Sequence, residues 1–315
     1  MLPNADATPR VNDMSKKPAK PAPKKQPAIA KKTATSKKKA TPKKAARPTL
    51  ADRADKHALY QVSVQSPGVD IEFFEEQFTK YRARKPMRMR EDFCGTALMS
   101  TEWCKTDPQR TALGVDLDGA TLAWGREHNI DPAGPDVAGR VKLAQADVRE
   151  TRFAKVDLTL AMNFSYCVFH TREQLGEYFT AACKGLVRDG MLALEVYGGT
   201  ESMSVLEEER PVRGATYIWE QEKFCPIDHR TLCHISWRFK DRSLLKHAFT
   251  YDWRLWTLPE LHELLLAAGF KEVKFYFERV DGDPDDDFLT GTGEFVEHTE
   301  IDNQEAWLAY VIALK

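Results

Sequence analysis

Arg90-Glu91-Asp92-Phe93-Cys94-Gly95-Thr96-Ala97 decides how the rest of the chain is read. A short strand-like run, 86–89, precedes it, and a helix-like run, 98–104, follows. An acid, a tight glycine turn and small residues at a strand-to-helix junction leave backbone N–H groups free to face a ligand. Asp116 ends the next strand-like run, Thr111–Asp116. That places it about 20 residues on, the spacing at which a carboxylate grips a ribose in nucleotide folds. Asp147 ends the run after that, 141–146. Three acids at three successive strand ends predict a nucleoside lying across the end of a sheet.

Working outward, the pattern alternates. Ile71, Phe74, Phe78 and Tyr81 fall at helical spacing before the first strand. Asp118 can cap a helix over 119–128, and 156–164 reads as a longer apolar strand. Thr171 with Gln174 has capping-box spacing and opens a helix to about 187. Asp189-Gly190 then turns the chain into a fifth strand, 191–197. This order predicts an α/β fold: a Rossmann-like, mainly parallel sheet of seven strands with helices on both faces. From about 200 to 256 the period changes to two. Strands at Ala215–Phe224, Arg230–Phe239 and 246–253 predict an antiparallel β insert, or lid. Thr257 and Glu260 open a further helix that ends before Gly269. Strand 270–277, an acidic loop over 281–303 and a last strand, 306–314, complete the chain.

The charge is divided. Of the 315 residues, the first 50 hold 14 Lys/Arg against two Asp/Glu, net +12. The other 265 hold 32 basic and 45 acidic residues, net −13. No aromatic residue occurs in 1–50. A Lys/Ala/Pro-rich segment of this kind cannot bury enough apolar area to offset its ordering entropy, so 1–50 is expected to be a disordered tail and 51–315 the folded domain. The tail's charge would attract polyanions, including nucleic acid, without base readout. No apolar run approaches the roughly 20 residues of a bilayer span, and 1–50 lacks the apolar core of a secretory signal. Six scattered cysteines with no C-x-x-C pair fit a reducing, cytoplasmic setting, with nucleoid association through the tail as an extension.

With these motifs in place, the stretch from about Tyr60 to Lys315 resembles the class I S-adenosylmethionine-dependent methyltransferases. The resemblance rests on Glu91 to Ala97, Gly114-Val115-Asp116-Leu117-Asp118, Ala146-Asp147-Val148, Asn163-Phe164-Ser165-Tyr166 and the Gly190 turn. In the family's first motif two or three glycines are usual; here Cys94 and Ala97 fill two of those places. The resemblance implies S-adenosylmethionine as cofactor and a methyl acceptor, either a small molecule or a protein. It implies that Asp92, Gly95, Thr96 and Asn163 face the methionine part, with Arg90 or Tyr60 near its carboxylate. Asp116 would hold the ribose and Leu117 would pack on the adenine. Asp147 and the Val148 N–H would meet the adenine edge.

Methyl transfer needs little acid–base machinery, because the sulfonium supplies the activation. The candidates for a base are Tyr166, Glu195, Tyr197, His234 and Tyr251, although residues of these types on strands also serve as core. The aromatics of the insert read either as a core face or as an apolar acceptor pocket. Cys225, His229, Cys233 and His234 match no standard zinc spacing, and the acidic run 281–287 lacks the closing Glu of a calcium loop, so no metal is expected. The rival function is a non-catalytic, nucleic-acid-associated binding module on a degenerate methyltransferase fold.

Overall fold

The computed structural model describes residues 47–281 and 290–315. The expected tail, except for 47–50, and most of the 281–287 run lie outside these residues. Two helices lead in, α1 (Lys56–Val64) and α2 (Pro67–Arg82). The first Rossmann half is β1 (Arg88–Asp92), α3 (Leu98–Thr106), β2 (Thr111–Asp116), α4 (Gly119–Gly125), α5 (Pro135–Arg140) and β3 (Val141–Gln145). The second begins with β4 (Val156–Ala161), α6 (Arg172–Gly185) and β5 (Leu186–Gly198). The insert is β6 (Leu206–Val212), β7 (Ala215–Phe224), β8 (Arg230–Phe239) and β9 (Leu244–Arg254). The chain closes with α7 (Leu258–Ala267), β10 (Glu272–Asp281), β11 (Thr290–His298) and β12 (Trp307–Leu314).

The main sheet runs β11-β10-β12-β5-β4-β1-β2-β3. Its pairs β3/β2, β2/β1, β1/β4 and β4/β5 are parallel. β12 inserts antiparallel between β5 and β10. The order reverses direction between β1 and β4, and a parallel sheet opens a crevice beyond its carboxyl ends at such a point. β4 is buried at all six positions and marks the centre of the sheet, and its buried Asp157 is paired with Arg84 and Arg88. Leu158 and Leu160 are fully buried, each contributing roughly 1.5–3 kcal/mol relative to exposure. α2 lays Ile71, Phe74 and Phe78 against one face of the sheet, and α6 buries Leu175, Tyr178 and Phe179 in the core that also holds Leu192 and Leu194.

Three expectations need correction. The sheet has eight strands, not seven, because β11, inside the stretch read as an acidic loop, pairs with β10 and becomes the edge. Its charged composition hides one packing residue, Phe295, whose ring stacks 4.0 Å from Tyr310. The insert has four strands: β6 carries Glu207, Glu208 and Glu209 at an exposed edge, where no alternation shows and charge protects the unpaired ladder. β1 begins and ends later than 86–89, with Asp92 as its last residue, at the strand end where it was expected. The Thr257/Glu260 capping box forms in full. At α6 only half does: Thr171 accepts the Gln174 N–H, but Gln174 Oε1 accepts from His170 N, one residue early.

Candidate functional site: the crevice at the strand switch

The loop between β1 and α3 alternates its handedness. Phe93, Gly95 and Ala97 have φ of 56, 51 and 53°, all left-handed. Two of the three carry a side chain, at a cost of about 1–2 kcal/mol each. Strain of this kind persists only where surroundings over-determine it, and it clusters at ligand sites. The surroundings here are explicit. Asp116 Oδ2 accepts the Gly95 N–H at 2.8 Å. Cys94 N donates to Val115 O at 3.0 Å. Thr96 O accepts from Asn129 Nδ2 at 2.9 Å. A Cβ on Gly125 would lie 2.2 Å from that same carbonyl, so α4 can approach the loop only with glycine there.

A cavity of about 280 Å³ opens at this loop. Asp92, Gly95, Thr96 and Asp116 line one side, Asn163 and Ser165 another. Asn163 and Phe164 are left-handed too, at φ 53 and 57°, and end β4 sooner than its apolar run implies. The roof is aromatic: Tyr60 from α1, with Phe249, Tyr251 and Trp253 from β9. These β9 rings form a ladder on one face of the strand, Tyr251 stacking on Trp253 at 4.3 Å. A second chamber of about 240 Å³ shares Gln65, Glu91, Met162 and Asn163 with the first and is lined further by Asp70 and Glu195.

The acids at the sheet end differ in state. Asp92 is buried, with Oδ1 accepting from Arg90 Nε at 2.5 Å and Oδ2 from the Tyr178 hydroxyl at 3.0 Å. Burial pushes its carboxyl up, against the opposing Arg90 guanidinium. Glu91 caps α3 through the Ser100 N–H and hydroxyl, yet burial still raises it to about 7. Asp116 is partly exposed, and its Oδ1 accepts the Asp118 N–H at 2.9 Å. Beside it Leu117 is 68% exposed, a bare apolar side chain at the rim. Asp147 is gripped by Arg149 through Nε and Nη2, which draws its carboxyl below the usual range. Glu195 accepts the Asn163 N–H at 2.6 Å, and burial followed by the neighbouring Asp70 raises it to about 8.

The structure therefore brings Asp92, Gly95, Thr96, Asp116 and Asn163 to one cavity. Leu117 and Asp147 sit at the adjoining strand ends but outside its lining, and Val148 is buried. Of the base candidates, Tyr251 lines the crevice and Glu195 the second chamber. Tyr197 lines a third cavity, Tyr166 is buried in the core, and His234 pairs with Glu222 and Thr250 within the insert sheet. Arg90 is buried under the β1 loop instead of facing the crevice. Sequence reasoning missed α1, whose Gln61 donates to Thr96 Oγ1 at 2.8 Å. The only local signal was Asp55, which caps the helix through His57 and Ala58.

No protein-family model matches the sequence, and no curated protein matches it either. Solved structures do match. One is an S-adenosylmethionine-dependent methyltransferase from Clostridium acetobutylicum: TM-score 0.59, 13% identity, covering 82% of this chain and 97% of that one. This is the class I methyltransferase fold. An amino pentose methyltransferase from Micromonospora echinaspora superposes with TM-score 0.55 at 17% identity, over 82% of this chain and 95% of that one. DesVI of Streptomyces venezuelae gives 0.57 at 15%, over 82% and 95%. Within the methyltransferase fold of this chain, the insert between β5 and α7 and the β11 hairpin are additions to the parallel core. Among the described residues no helix is long and apolar enough to cross a membrane, and no three His, Cys, Asp or Glu side chains are arranged to hold a metal.

Proposed function

We propose that the chain is an S-adenosylmethionine-dependent methyltransferase acting on a small molecule or a protein. The observation that carries this reading is Asp116: a partly open carboxylate at the end of β2, held by the Gly95 and Asp118 N–H groups at the mouth of the crevice. Each of its oxygens keeps a further acceptor position, which suits a pair of vicinal ribose hydroxyls. The exposed Leu117 next to it suits an adenine face. The β1 loop with Thr96 and Asn163 would take the methionine part, and Asp147 with the Val148 N–H the adenine edge. The domain is 51–315, with the insert at 200–256 as its roof.

Bound S-adenosylmethionine supplies an activated methyl on a sulfonium. The chain's own residues align the acceptor and exclude water. Tyr60, Phe249, Tyr251 and Trp253 form an apolar wall opposite the acids. Glu195 is the acid–base candidate favoured by its place in the chamber that adjoins the crevice; raised to about 8, it takes a proton from an acceptor nitrogen or hydroxyl only in its ionised form, which grows as pH rises toward that value. Residues 1–50, at net +12, would bind polyanions weakly and without sequence preference.

Calorimetric titration with S-adenosylmethionine and S-adenosylhomocysteine tests the reading. Micromolar binding that Asp116→Ala weakens about 100-fold supports it; no heat from the unaltered protein with either compound ends it.

A further inference from the structure

Arg90 is an unusual side chain for its position. It lies on β1, a strand paired on both edges, and is 2% exposed. A guanidinium there needs partners for its donors, and the structure supplies them from two directions. Nε donates to Asp92 Oδ1 at 2.5 Å, at the base of the β1 loop. Nη2 donates to Val148 O at 2.5 Å, and Nη1 reaches Glu150 O at 3.4 Å, both in the loop after β3. Its face lies 5.3 Å from the centre of the Phe153 ring. Asp92 continues the network to Tyr178 of α6.

Among the described residues no other side chain hydrogen-bonds both to β1 or its loop and to the loop after β3. β1 and β3 are not neighbours in the sheet, since β2 lies between them. The loop after β3 runs on to β4, the other neighbour of β1, so Arg90 ties the end of β1 at Asp92 to that connection where it passes. We propose that Arg90 is a positioning residue that staples the β1 loop to the β3 loop and so sets the distance between the two ends of the cofactor site. This rests on the methyltransferase reading, in which one loop meets the methionine part and the other the adenine. A planar, forked guanidinium can hold both loops at once; a lysine ammonium has one nitrogen on a flexible stem and can hold only one.

The test pairs Arg90→Lys with the double variant Arg90→Met/Asp92→Asn. The second leaves no unpaired buried charge and carries the test if the first does not fold. Two readouts are taken on folded protein: amide hydrogen exchange of the ligand-free form, and S-adenosylhomocysteine affinity. In Arg90→Lys, exchange is expected to accelerate at least tenfold at 147–150 while 93–97 stays protected, with affinity falling about tenfold. Arg90→Met/Asp92→Asn is expected to loosen both loops and to lose at least as much affinity. Unchanged exchange at 147–150, or affinity within twofold of the unaltered protein, overturns the proposal. A general loss of stability accelerates exchange throughout the core strands and helices, whereas a staple predicts acceleration confined to the loops it holds, which separates a staple from a merely structural arginine. If the unaltered protein binds no S-adenosylhomocysteine, it is the methyltransferase reading that fails, and the ligand-free exchange still decides the staple.

Discussion

Asp116 ends β2 and Asp147 lies two residues past the end of the neighbouring parallel strand β3, yet their carboxylates have different neighbours. Asp116 is held by two backbone N–H groups and faces the crevice. Asp147 is clasped by Arg149, whose other arm reaches Glu177 on the surface of α6. Backbone donors orient a carboxylate and leave its charge uncompensated for a ligand. A guanidinium fork neutralises it and occupies both oxygens. Strand-end acids in the same order are therefore not equally available.

The largest effect should come from removing these two acids in turn. Asp116→Ala is expected to weaken S-adenosylhomocysteine binding about 100-fold, close to 3 kcal/mol, and Asp147→Ala by less than about tenfold, near 1.4 kcal/mol. Equal losses in calorimetry would break the distinction.

Two glycines extend the comparison to the flanking helices. Gly125→Ala drives a methyl into Thr96 O and should cost roughly 1–3 kcal/mol in denaturant unfolding. Gly139→Ala, in α5 before β3, meets nothing within 4 Å and should be neutral or stabilising by up to about 1 kcal/mol.

Titration separates the two sides by sign. Glu195 is raised to about 8 in the folded protein, so the native state holds a proton there that the unfolded chain has released. Its contribution is complete below the unfolded value and is lost as pH rises through about 8. Asp70 at about 6 and Glu91 at about 7 act in the same direction. The melting temperature should fall between pH 5 and 8, and Glu195→Gln should flatten the upper part of that fall. Asp147, drawn downward by Arg149, acts oppositely: its contribution is present at neutral pH and is lost as the solution is acidified. An unchanged slope in Glu195→Gln would show that this carboxyl is not the one titrating.

The smallest effect concerns the strained loop. Ala97→Gly relieves a left-handed alanine, worth about 1 kcal/mol, but empties a fully buried methyl site worth about 0.8 kcal/mol. Thermal melts should differ by no more than about 1 kcal/mol. A loss well beyond that would mean the methyl, not the backbone shape, is what the loop needs.

Much of the fold was legible because its signals are local. β2 matches its expected bounds, and α7 is capped as its Thr and Glu spacing implies. The strand-end placement of Asp116 followed from the same periodicity. β6 and β11 escaped because edge strands carry charge where inner strands carry alternation. The base candidates separated only in three dimensions: Tyr166 and Glu195 look alike as residues near strand ends, but one is core and the other lines a chamber.

The amino-acid order by itself determined the alternation of strands and helices, the division of charge between 1–50 and the rest, and the ranking of acids along the sheet end. These depend on side-chain period and composition, which act between residues a few positions apart. Tertiary structure decided which acids stay open, because that depends on partners brought from far along the chain. Tyr178 reaches Asp92 across 86 residues, and Gln61 reaches Thr96 across 35. It also decided where the cavities lie, since a void is bounded by elements such as α1 and β9 that share no local pattern and meet only when the core has formed.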